Sequence, residues 1–252
     1  MISRLELIQY LHNLLNCAQF KDYAPNGLQV EGKDQIKRIC TAVTASEAVI
    51  SEAVTQKADA LIVHHGYFWR GEEAVITGIK RQRIAKLLNH NMNLFAYHLP
   101  LDCHLELGNN THLGRLLSIE SSVSHQVQGV DNLLWSGKLS KPMSGKQLTV
   151  YIQEKLKRAP LHLGDPHQLI HSIAWCTGAA QDYIDEAYHL GVDAYLSGEV
   201  SERTYYQAQE LGIQYFACGH HATERYGIQA LGSHLSNQFG LEHRFIDSDN
   251  PI

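Results

Sequence analysis

One pattern limits what this chain can fold into more than any other: a strand–helix–strand unit that occurs twice in one register. The segment ICTAVTASEAVISEAVTQKADALIVHHG (39–66) aligns without a gap on IAWCTGAAQDYIDEAYHLGVDAYLSGEV (173–200). Identities fall at Ile39/Ile173, Ala45/Ala179, Ile50/Ile184, Glu52/Glu186, Ala53/Ala187, Asp59/Asp193 and Ala60/Ala194. Any two such units share apolar periodicity, but a common register with the same turn into the second strand favours internal duplication. Each copy runs from one continuous apolar strand to another, with an amphipathic helix between them. The expected fold class is α/β: two related halves, each a mainly parallel sheet covered by helices, with a ligand cleft between them.

The periodicity predicts helix 4–17, strand 37–43, helix 46–57, strand 59–63, helix 79–90 and strand 93–98. Residues 120–165 lose the rhythm and read as short strands, then a helix capped near Ser144. The chain therefore divides into a first half, 1–120, a connecting segment, 121–165, and a second half, 166–252. At 252 residues, 44% hydrophobic and 19% charged, it is an ordinary globular chain with room for a buried core. No apolar run approaches the ~20 residues needed to span a bilayer. The N-terminus, MISRLELIQYLHNLL, reads as an amphipathic helix and not as a signal peptide, which predicts a cytoplasmic address. Cys17, Cys40, Cys103, Cys176 and Cys218 agree with it, being odd in number, scattered and never in a CxxC pair. A net charge of −5 argues against nucleic acid as a partner.

The chemistry lies in the histidines, sixteen of them against three methionines. His64 and His65 end the apolar strand ALIV, and Gly66 is expected to supply the turn that lets both reach one site. The next strand runs into HLPLDCH (98–104), where Pro100 breaks it and Asp102 follows; His98 and His104 flank that aspartate. By itself Asp102 equally suits a turn or a helix cap. In the second half, QYFAC ends in GHHATER (219–225), a helix start with His220 and Glu224 at i and i+4 on one face. Three strand ends thus deliver His64, His65, Asp102, His220 and Glu224. Three imidazoles and two carboxylates suit a divalent transition metal better than calcium. Five side chains exceed what one catalytic zinc needs, and suit two ions with Glu224 as the bridge.

IVHHGYFW, HLPLDCHLELGNN and CGHHATER, in this order, resemble the signature segments of the Nif-three-like family. Its members are often catalogued as GTP cyclohydrolase type two homologues. DYAPNGLQVEG (22–32) and SGEV (197–200) also look like segments of that family, and the resemblance covers nearly the whole chain. It implies two related α/β halves, a dinuclear metal site and a toroidal homohexamer, with the same five residues as ligands. Gly66 departs from a proline common in relatives, and His221 from an aromatic residue.

Metal-assisted hydrolysis of a nucleotide-like or purine-like substrate is the expected function, with two ions of zinc, manganese, iron or nickel. His98 and His104 are candidates for proton transfer or for orienting the ligands. Glu199 replaces His65 in the repeat and is expected to face the same cleft; an acidic residue in the first turn of a helix 200–211 is the rival reading. Tyr67, Phe68, Trp69 and Arg70 form an aromatic and basic loop suited to a base and a phosphate, or to a neighbouring subunit. No GxGxxG or P-loop is present. A metal-handling protein, or a ring-shaped scaffold with structural metals, would use the same ligands.

Overall fold

A computed structural model describes residues 1–252. Its elements run β1 (Ile2–Ser3), α1 (Arg4–Leu14), β2 (Gly27–Val30), β3 (Gln35–Ile36), β4 (Arg38–Thr44), α2 (Glu47–Thr55), β5 (Ala60–His65), α3 (Gly78–Asn89), β6 (Asn93–Ala96), α4 (Leu99–Asp102) and α5 (Asn109–Leu116). There follow β7 (Ile119–Val127), β8 (Val130–Ser144), α6 (Gly145–Leu156), β9 (Leu161–Leu163), β10 (Leu169–Cys176), α7 (Ile184–His189), β11 (Ala194–Ser197), α8 (Glu202–Leu211), β12 (Gln214–Ala217), α9 (His220–Phe239) and β13 (Glu242–Phe245). The chain forms two compact units, Met1–Leu107 with Gly227–Asp249, and Gly108–Tyr226 with Asn250–Ile252. No helix is long and apolar enough to cross a membrane.

Unit one is built on a sheet of order β13-β4-β5-β6-β2, parallel except for β2 at its edge. Alternation along each strand supplies two apolar faces. Ile39, Val43, Ile62 and Phe95 pack with Leu7 and Leu11 of α1 and with Ile228, Leu231 and Leu235 of α9. Cys40, Ala42, Leu61, Val63 and Leu94 pack instead with Ile50 of α2 and Leu87 of α3. Covering both faces explains why these strands read as continuous apolar runs. Ser3 begins α1 with a capping box to Glu6, which satisfies two backbone groups at once.

The sheet of unit two has the order β7-β8-β10-β11-β12-β9, with β10, β11 and β12 parallel and the others antiparallel. Trp175, Leu196 and Phe216 fill its core with Leu113 of α5 and Leu148 and Ile152 of α6. The expected connecting segment, 121–165, lies inside this unit. Its helix starts where expected, with Ser144 and Gln147 forming a capping box. The strands before that helix are long, β7 spanning nine residues and β8 fifteen, and only β9 after it is short. Most of β7 is exposed, so no apolar alternation marks it, and backbone pairing to β8 alone makes the strand. All five cysteines are buried and free.

The repeated segments fold alike. Ile39 pairs with Ala60 in unit one as Ile173 pairs with Ala194 in unit two. The shared aspartates do the same work. Asp59 accepts the Lys37 and Arg38 amides at 3.0 and 2.9 Å, and the Lys33 ammonium at 2.7 Å. Asp193 accepts the His171 and Ser172 amides, both at 2.8 Å, and the Ser172 hydroxyl at 3.0 Å. Each carboxylate thus binds the start of one strand from the start of its neighbour.

Removing either carboxylate strands two amides, so Asp59→Ala and Asp193→Ala are each expected to cost about 2 kcal/mol in urea denaturation; a loss near zero in either would refute the role. A second expectation concerns His243 on β13. Burial lowers its pKa, its Nε2 lies 2.8 Å from the Thr41 hydroxyl, and a Cβ on Gly232 would come within 2.1 Å of that nitrogen. A lowered imidazole pKa means that the unfolded chain binds the proton first as pH falls below ~6.5, so stability drops on acidification. The urea midpoint should therefore fall less between pH 7 and 5 in His243→Gln than in the parent chain. Equal slopes would remove His243 from the account.

Candidate metal centre

In unit one, β5 ends on His64, fully buried, and His65, half-buried. Strand alternation would send the two rings to opposite faces, yet their centroids lie 4.5 Å apart. The neighbouring strand β6 has stopped at Ala96, and the Tyr97 carbonyl that follows it accepts from His64 Nδ1 at 2.9 Å. A carbonyl only accepts, so Nδ1 carries a proton and donates. Nε2 lies 3.4 Å from Oδ1 of Asp102, which is buried at the end of α4. The Thr44 hydroxyl lies 3.1 Å from His65 Nδ1. Gly66 is not the turn-maker expected, since its φ lies outside the left-handed region. Space demands it: a Cβ would stand 2.1 Å from Gln29 Oε1 and 2.6 Å from Ala96 Cβ.

His98 joins this pair. Its ring lies 5.1 Å from that of His64 and 5.8 Å from that of His65, and one nitrogen of each of the three falls within 4.8 Å of the others. A residue absent from the sequence reading holds it there. Asp22 bonds His98 Nδ1 at 2.7 Å and accepts the Tyr23 amide at 2.6 Å, the Leu99 amide at 2.9 Å and the Asn26 side chain at 2.8 Å. Burial works to raise the Asp22 pKa, but the bonds from His98, Asn26 and the Tyr23 amide outweigh it and hold the carboxyl below its ordinary range. The only sequence signal was the DYAPNG stretch, a loop without periodicity. Trp69 stands edge-on to His98 at 5.0 Å, and Arg70 donates to the Asp22 carbonyl at 3.1 Å with its guanidinium over Tyr23.

His104 is placed differently. Its Nδ1 accepts the Glu106 and Leu107 amides at 3.1 and 3.0 Å, and its Nε2 donates to the Leu14 carbonyl at 3.1 Å. With both nitrogens engaged by backbone, this ring ties the turn after α4 to the end of α1.

In unit two the counterpart set gathers where three strands end. His220 and Glu224 lie at i and i+4 on α9, with Nε2 3.1 Å from the buried Glu224 Oε2. On its other side His220 Nδ1 meets Glu199 Oε1 at 2.7 Å. Glu199 precedes α8, which starts at Glu202, so it is not an acid of that helix's first turn. Burial alone would lower the His220 pKa; the carboxylates of Glu224 and Glu199 reverse this and raise it to about 9. Three glycines make room for the set. A Cβ on Gly178, where φ is +69°, would lie 2.1 Å from Glu224 Oε1. One on Gly198 would lie 2.8 Å from His220 Cα, and one on Gly219 2.7 Å from Arg158. The repeat alignment marked none of them.

His64, His65 and His98 of unit one lie close enough together to hold a divalent transition ion. Unit one presents three imidazoles beside one buried carboxylate, the outer partners being a carbonyl, a hydroxyl and Asp22. In unit two, two carboxylates converge on one imidazole, and the positive charge they demand is supplied by a proton or by a metal.

Comparison with known proteins identifies the family. Residues 2–251 match a family described as Duf34/NIF3 (NGG1p interacting factor 3). A protein of Allochromatium vinosum named GTP cyclohydrolase 1 type 2 homolog is 51% identical over 98% of this chain and 96% of its own length. Among solved structures, protein ybgI, described as of unknown function, superposes with a TM-score of 0.95 at 48% identity, covering both chains fully. TTHA1606 from Thermus thermophilus does so at 0.89 with 31% identity, again over both full chains.

Proposed function

The chain belongs to the Duf34/NIF3 family, and on that footing we propose that it is a dinuclear metal-dependent hydrolase acting on a nucleotide-like or purine-like substrate. His64, His65 and Asp102 of unit one and His220 and Glu224 of unit two are its metal ligands, with Glu224 the bridge. The observation that carries this reading is the pairing of imidazole with buried carboxylate in both units, each ring held by an outer partner.

Bound ions would supply Lewis acidity and a water activated near neutral pH. The chain's own groups do the rest. His98, held at Nδ1 by Asp22, has Nε2 to take up or deliver a proton. Glu199 holds His220 in place through Nδ1. Trp69 offers a ring face or edge to a flat substrate, and exposed Arg70 a charge to a phosphate. Backbone groups at both nitrogens of His104 favour a role in placing the turn after α4 over proton transfer. A cytoplasmic address fits the free thiols.

Metal content per chain, before and after dialysis against a moderate chelator, tests the centre. Two retained ions are expected, falling to one or none in Glu224→Gln with the fold kept. Two ions that wash out would favour a metal-handling protein, and folded protein that binds none would end the proposal. The same reading includes a homohexameric ring, so light scattering should give six times the 28.3 kDa chain mass. A monomer mass at working concentration would overturn that part.

A further inference from the structure

Helix α9 carries His220 and Glu224 in its first turns, yet the residue before it cannot cap it. Caps at this position are usually side-chain oxygens that accept first-turn amides. Gly219 has no side chain and has no room for one: its φ is +97°, and a Cβ would lie 2.7 Å from Arg158 Cδ and Nε. Another segment of the chain does the capping. The His221 amide donates to the Ile252 oxygen at 3.1 Å. That segment is held in turn by Arg158, whose Nε and Nη2 both donate to the Pro251 carbonyl, at 3.0 and 2.7 Å. Asn250 Oδ1 closes the turn by accepting the Ile252 amide at 2.9 Å.

A cation is a poor neighbour for a helix N-terminus, where the macrodipole is already positive. Arg158 stands beside that end all the same, and the carbonyls of 251 and 252 account for it: one accepts the guanidinium fork and the other the helix amide. Opposite, the loop before α9 is pinned by the Cys218 and Gly219 amides to the carbonyls of Ser197 and Gly198, at 2.7 and 2.8 Å. The Gly178 amide meets Thr223 Oγ1 at 3.1 Å. The first turn is thus gripped from two sides, by the strand ends and by the tail.

We propose that Arg158 and residues 250–252 form a clamp that sets the first turn of α9 and so fixes where His220 and Glu224 stand. Arg158 is a positioning residue that acts through the tail, at a distance of 93 residues in sequence from Pro251. Its consequence for metal affinity rests on the ligand assignment above; its consequence for the helix start does not.

Three variants of the full chain test it: Arg158→Met, which keeps the apolar stem, truncation after Asp249, and both together. Hydrogen exchange is read at 219–226, with the strands β4 and β5 as internal reference. The clamp predicts faster exchange at 219–226 in each single variant, no further gain in the double, and an unchanged reference, because one linked device is broken only once. Manganese titration of the same proteins should show about tenfold weaker binding, the usual size of an outer-partner loss. Unchanged exchange at 219–226 in Arg158→Met, additive effects in the double, or acceleration throughout the chain would each overturn the clamp. A parent chain that binds no manganese, with exchange responding as predicted, would sink the metal centre and leave the clamp standing.

Discussion

The aspartate that opens the second strand of each repeat governs where everything else falls. Asp59 and Asp193 each accept two amides from the start of the preceding strand, which locks the two parallel strands at their amino ends. Parallel strands locked at one end finish at a level set by their lengths. His64 and His65 follow Asp59 by the same number of residues as Gly198 and Glu199 follow Asp193. The two histidines and the glycine that yields space therefore occur at matching heights in their own sheets. A slip of one residue would turn each strand over and bury the wrong side chain.

Orientation of these side chains comes from groups that are themselves weak signals. A backbone carbonyl accepts from His64, a threonine hydroxyl faces His65, and carboxylates face His98 and His220. Such partners remove rotational freedom from the rings. Unit two reaches the same end by subtraction. Gly178, Gly198 and Gly219 lie after three successive strands, and any side chain on them would collide with Glu224, His220 or Arg158.

Much of the fold could be read from the residues, because periodicity is a local property. The buried parallel strands, helices α1, α2, α3 and α6, the Ser144 cap and the reduced cysteines all appear as expected. Strand β7 escaped because its residues are exposed and its pairing is made by backbone. His98 was expected within a strand, but β6 stops at Ala96 and His98 precedes the short helix α4. His104 drew attention by flanking Asp102, and only its bonds to Leu14, Glu106 and Leu107 reveal a ring engaged with backbone.

By itself the sequence determined the α/β class, the doubled register and the identity of side chains carried to strand ends. These follow from spacing along the chain, which burial and strand alternation convert directly into structure. Tertiary structure decided which partner each of those side chains meets. Asp22 reaches His98 across 76 residues, Gly178 makes way for Glu224, and Arg158 holds the tail that caps α9. No spacing rule connects residues so far apart. They meet because the fold brings separate loops together, and a polar group shielded there needs a partner, whichever loop provides it.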